Sequence, residues 1–118
     1  MRKLYLLSTL VLSLLLCSRV SAQDFSNKGT DFWVGYGYHQ VMTAGNAQQM
    51  VLYFAADQAA NVTVTIPSLG YTQNYVVPAN SVITSNVIPK ANPQDARLLT
   101  EGLSSKGIHI TSDYPIVA

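Results

Sequence analysis

The sequence predicts an all-β fold, an antiparallel β-sandwich or jelly-roll-like domain, and three observations carry that reading. Several short runs alternate apolar and polar residues with period two. Glycine, proline and asparagine clusters separate those runs. A single segment of two turns at most, Asp95–Glu101, looks helical.

The chain opens on a segment with the build of a cleavable secretory signal peptide, residues 1–22. Arg2 and Lys3 make a positive start, and Leu4 to Leu16 is apolar except for Ser8, Thr9, Ser13 and the amphipathic Tyr5. Val20-Ser21-Ala22 then places modest or small side chains where signal peptidase needs them, so cleavage leaves Gln23 first. The apolar run falls short of the roughly 20 residues that a membrane-spanning helix needs. Acylation at Cys17 is disfavoured, because Leu16 stands where that processing requires a small residue and Arg19 follows closely. The expectation is a secreted or surface-displayed chain with no stable membrane insertion after cleavage.

The mature segment, residues 23–118, is one small domain and holds no cysteine, so no disulfide staples it. It carries four cationic side chains against six acidic ones, a net charge of −2. Its lysines and arginines are dispersed, which argues against nucleic acid as a partner.

Within it, Phe32 to Tyr38 alternates as a strand. Phe32, Val34, Tyr36 and Tyr38 share one face, and Trp33, Gly35 and Gly37 share the other. Gly45-Asn46 marks a turn. Met50 to Ala56 is continuously apolar, as suits a central strand covered on both faces. Asn61 to Ile66 is the cleanest strand, with Val62, Val64 and Ile66 inward and Thr63 and Thr65 outward. Pro67–Gly70 is a turn, Tyr71–Val77 a strand, Pro78–Ser81 a second turn and Val82–Ile88 a returning strand. Residues 61–88 thus read as an antiparallel meander. Asp95–Glu101 is a short helix or irregular loop. Gly107–Ser112 is a strand, Asp113-Tyr114-Pro115 a turn, and Ile116-Val117-Ala118 enters a further strand. That last entry predicts a domain incomplete at its C-terminus, with an unpaired edge.

The residues of catalysis do not assemble in the sequence. There is no G-x-S-x-G, and Gly102–Gly107 reads as a turn. Neither His39 nor His109 has a partner at ligand spacing; His109 lies between Ile108 and Ile110 and faces away from them. Asp57, Asp95, Glu101 and Asp113 are scattered without the spacing of a calcium loop, so no metal and no cofactor is expected. Asn61-Val62-Thr63 is a glycosylation sequon placed unfavourably in a strand. The expectation is a non-enzymatic chain. The candidate ligand contacts are Trp33, Tyr36 and Tyr38. Trp33 has two placements: the core, which is preferred, or an exposed sheet face beside Gly35 and Gly37, where it would stack a sugar ring or anchor a protein.

Four segments in order resemble a known family. Asn27 to Val34 contains "G-x-x-F-x-V", Val62 to Pro67 a second strand, Val77 to Val82 a proline-asparagine hairpin, and Gly107 to Ala118 follows "G-I-x-I-x-S-x-x-P-I-x-V" except at its last position, where Ala118 stands in place of the pattern's valine. Together they are similar to the IgGFc-binding protein N-terminal domain family across residues 27–118. The resemblance implies an N-terminal fragment of a longer β-domain, from a bacterial surface or secreted protein of Bacteroidetes type in which further adhesion-like modules follow. It implies a binding or adhesion module for a host or matrix glycoprotein or a glycan. The alternative is a structural spacer or accessory domain of a larger extracellular protein or enzyme. Antibody Fc binding does not carry over, because no binding residues transfer position by position.

Overall fold

A computed structural model describes residues 27–37, 45 and 48–118. The leader reading for residues 1–22 lies outside them, and so do Tyr38 and His39. The fold is all-β. Six strands form one antiparallel sheet: β1 (Gly29–Val34), β3 (Tyr53–Ala56), β4 (Ala60–Ile66), β5 (Tyr71–Val77), β6 (Ser81–Thr84) and β8 (Ile108–Val117). Two residue-pair strands, β2 (Tyr36–Gly37) and β7 (Arg97–Leu98), make a small parallel pair. Among the described residues, no helix is long and apolar enough to cross a membrane.

The ten-residue strand β8 is the spine. Along one edge it pairs with β4, from Thr65 opposite His109 to Val62 opposite Ser112, and then with β3, Ala56 opposite Ile116. From Ser112 to Ile116 is four steps, but from Val62 back to Ala56 is six, so two extra residues bulge out around Asp57–Ala59. The other edge of β8 holds β1, from Val34 opposite Ile108 to Asp31 opposite Thr111.

The turn at residues 67–70 forms as expected. Pro67–Leu69 is one 3-10 turn, and Gly70 closes it with φ +60° while its N–H donates to the Pro67 carbonyl at 3.2 Å. A left-handed residue at a chain reversal suits glycine, which has no Cβ to clash.

The expected meander over 61–88 is corrected. The chain does not reverse at Pro78–Ser81. Strand β6 continues in the direction of β5 and pairs with β3 in the register that β5 keeps with β4: Ala60 faces Val77 and Ala56 faces Ser81. Residues 53–66 and 71–84 are therefore one long hairpin, bent in the middle. A tight two-residue reversal of type I′ needs positive φ at both central residues; here Asn80 alone has it, at +53°. The Ser81 hydroxyl donates to the Pro78 carbonyl at 2.6 Å and secures the bend. The bend swings β3 across β5, bringing the Phe54 and Tyr75 rings to 5.6 Å at 45°. Strands that change layer at bulges are how sheets turn corners.

The core lies inside this folded sheet. Val62, Val64 and Ile66 of β4 are buried, as the alternation predicts, with Phe54, Ala56, Val77, Ile108, Ile110 and Ile116. Each of the larger side chains contributes about 1.5–3 kcal/mol by leaving water.

Two further expectations change, at 50–56 and at 113–115, and the two alternatives left at Asp95–Glu101 are resolved in favour of the irregular one. The apolar run 50–56 is strand only over Tyr53–Ala56, and only one of its faces is fully covered. Phe54 is buried while Tyr53 is 61% exposed. Met50 instead makes an isolated bridge to Ile88. Asp95–Glu101 is irregular apart from β7, with no helix. The Asp95 carboxylate accepts from the Arg97 backbone N–H at 3.1 Å and from its guanidinium at 2.8 and 2.7 Å, the kind of local bond that competes with helix. Asp113-Tyr114-Pro115 is not a turn but part of β8. Against β1 the five-residue advance from Thr111 to Ile116 faces only two, Asp31 to Gly29. The surplus bulges out, and Pro115, lacking an N–H for the ladder, sits there.

Candidate functional site

The alternation that buries Val62, Val64, Ile108 and Ile110 turns their neighbours to the opposite face of the β5–β4–β8–β1 layer. The registers set those neighbours in rows across four strands. One row runs Thr72, Thr65, His109, Trp33; the next runs Asn74, Thr63, Thr111, Asp31. Apart from Trp33 these are polar. The Thr63 hydroxyl donates to the Asn74 side-chain oxygen at 2.9 Å.

Trp33 is not in the core. It is 63% exposed at the end of its row. Its indole lies flat against the His109 imidazole, with ring centroids 4.2 Å apart and planes 8° from parallel. The exposure therefore belongs to the opposite ring face and the outer edge. His109 Nε2 donates to the Asp31 carboxylate at 3.1 Å, which orients the imidazole beneath the indole. The glycine that makes room is not Gly37, where a Cβ would meet nothing within 4 Å. It is Gly107, where a Cβ would come within 3.2 Å of the indole. Gly35 admits Leu98 instead, at 3.1 Å.

Tyr36 serves the scaffold. It is half-buried, its hydroxyl donates to the Val51 carbonyl, and burial pushes its pKa up. Tyr38 lies outside the described residues. Of the three candidate contacts the described structure thus presents Trp33 on an open face and packs Tyr36 against the core.

At the rim, Asp113 accepts from both the backbone N–H and the side-chain amide of Asn61, each at 2.7 Å. The Asn61 side-chain bond, then the backbone one, hold its carboxyl below the usual range. The sequon asparagine is thereby engaged in the sheet. Among the described residues, no three His, Cys, Asp or Glu side chains gather as a metal-holding group. Asp57 pairs with Lys28, and Asp95 with Arg97.

Residue patterning placed His109 outward, but its union with Trp33 and Asp31 depends on the pairing of β1 with β8, about 75 residues apart in sequence. Chemically the arrangement offers a flat apolar ring beside hydroxyl and amide groups. His109 commits its Nε2 hydrogen to Asp31. In comparisons with protein-family models, curated protein sequences and solved structures, the chain matches none.

Proposed function

We propose that this chain is an extracellular binding module whose outer sheet face takes a glycan, free or on a glycoprotein, with Trp33 as its stacking platform. One observation carries the reading: a tryptophan 63% exposed, backed by His109, which Asp31 holds in place, at the end of a row that continues through Thr65 and Thr72. An exposed indole normally has no reason to be so rigidly backed, whereas a sugar ring needs a flat apolar surface with hydroxyl and amide partners beside it. The export leader and the four-segment resemblance support a role in secretion or surface adhesion.

The test is a glycan and glycoprotein array, followed by fluorescence titration of Trp33 with the ligands it returns. Trp33→Ala should weaken binding roughly thirtyfold, about 2 kcal/mol, as for a central aromatic anchor. Its circular dichroism should not change, since Trp33 is outside the core. Absence of binding across the array, or binding that survives Trp33→Ala, rejects the reading and leaves the spacer role.

A further inference from the structure

Among the described residues the bent sheet leaves the outer sides of β1, β5 and the short β6 unpaired, and β1 and β5 are built differently. The β1 edge is short. It carries Asp31, follows Lys28, is irregular between Gly29 and Asp31 and is interrupted at Gly35. Such features guard an edge against pairing. The β5 edge has none of them. Seven consecutive pairs join β5 to β4 without a bulge, from Ile66–Tyr71 to Ala60–Val77. No strand pairs with the outer side of β5 among the described residues. Its sequence, Tyr71 to Val77, has no proline and no charge. From Gln58 to Pro89, in fact, 32 residues pass without a single Asp, Glu, Lys or Arg. Val76, near the end of β5, is 68% exposed.

We infer that the β5 edge is a pairing surface for a second copy of this chain, joined antiparallel about a twofold axis through Asn74. Self-pairing is favoured because an uncharged edge meets its own copy without like-charge repulsion, and a twofold axis satisfies both edges at once and closes the assembly. The arrangement sets Asn74 opposite Asn74 of the second copy and Thr72 opposite its Val76. The two four-stranded layers become one continuous eight-stranded sheet. Because the axis stands perpendicular to that sheet, both Trp33 side chains end on the same face. They lie seven strand spacings apart, about 34 Å at about 4.8 Å each. Two platforms on one face give multivalent attachment, but the pairing itself stands whether or not Trp33 binds a glycan.

Sedimentation equilibrium on protein purified from its producing cells tests the inference. A reversible monomer–dimer equilibrium is expected. Val76→Lys, which puts a lysine on each uncharged edge beside Thr72 of the other copy, should weaken dimerisation, and adding Asn74→Lys, which sets lysine directly opposite lysine across the twofold axis, should weaken it at least tenfold. Asn74→Cys, in a Cys17→Ser background, should form an intermolecular disulfide in air. A monomer at every concentration, open-ended oligomers, or a dimer indifferent to Val76→Lys and not cross-linked through position 74 overturns it. Loss of glycan binding with the dimer intact would reject the functional reading alone.

Discussion

Tyr71 is a buried phenol whose hydroxyl has no hydrogen-bond partner among the described residues. Leaving such a group dry costs about 1–3 kcal/mol, while an apolar replacement of the same shape restores that loss. Tyr71→Phe should therefore stabilise the domain by about 1 kcal/mol, read as a higher urea midpoint at unchanged slope. The same ring shows how far single residues can be read in advance. That Tyr71 starts a strand follows from local pattern; that its hydroxyl ends buried without a partner depends on tertiary packing. Trp33 makes the complementary case. Its position on the face opposite Val34 and Tyr36 was legible from alternation, yet which face would be covered was not. Only the β1–β8 register places His109 beneath it and Gly107 beside it.

Strands were legible where side chains alternate and turns where glycine is required, as in β4, β5 and the Gly70 reversal. Direction at Pro78–Ser81 was not. Proline, alanine, asparagine and serine accommodate a bend as readily as a reversal, and the choice is made by the bulge at Asp57–Ala59 on the facing strand. Likewise Pro115 looked like a terminator, although a bulge in β8 absorbs it without ending the strand. At Asp95–Glu101, the apolar and charged composition of a helix yielded to three bonds between Asp95 and Arg97. The corner makes a prediction. With φ at +53°, Asn80 occupies a left-handed conformation that costs an ordinary residue about 1–2 kcal/mol and asparagine or glycine less. Asn80→Ala should lower stability by about 1 kcal/mol in chemical denaturation, and Asn80→Gly should leave it nearly unchanged. If Ala and Gly are equally tolerated, the corner does not depend on that conformation.

At the scale of the whole molecule, a chain with a single cysteine has no internal disulfide to brace it, so stability depends on packing and on a few ionisable groups that bound its pH range from both sides. On the acid side, the Arg97 guanidinium bond holds Asp95 below the usual carboxylate pKa against the opposing effect of burial, and the Asn61 bonds do the same for Asp113. A lowered folded-state pKa means that the unfolded chain binds the proton more tightly. The stabilisation is thus complete above the unfolded carboxylate value of about 4 and is lost as pH falls through the folded values. On the alkaline side, burial and then neighbouring Tyr75 raise Tyr71 from 10.0 to about 12. Here the unfolded chain gives up its proton first, so stability is intact below pH 10 and declines as pH rises toward 12. The thermal midpoint should therefore form a plateau between about pH 5 and pH 9, with a fall on either side. Two substitutions separate the limbs. Asp95→Asn should lower Tm on the plateau, because Arg97 loses its charged partner in a buried setting, but should flatten the acid decline. Tyr71→Phe should raise the plateau and flatten the alkaline decline while leaving the acid limb in place. Calorimetry of both variants from pH 3 to pH 11 distinguishes this account from a general loss of stability at extreme net charge. That alternative would leave the shape of both limbs unchanged in each variant.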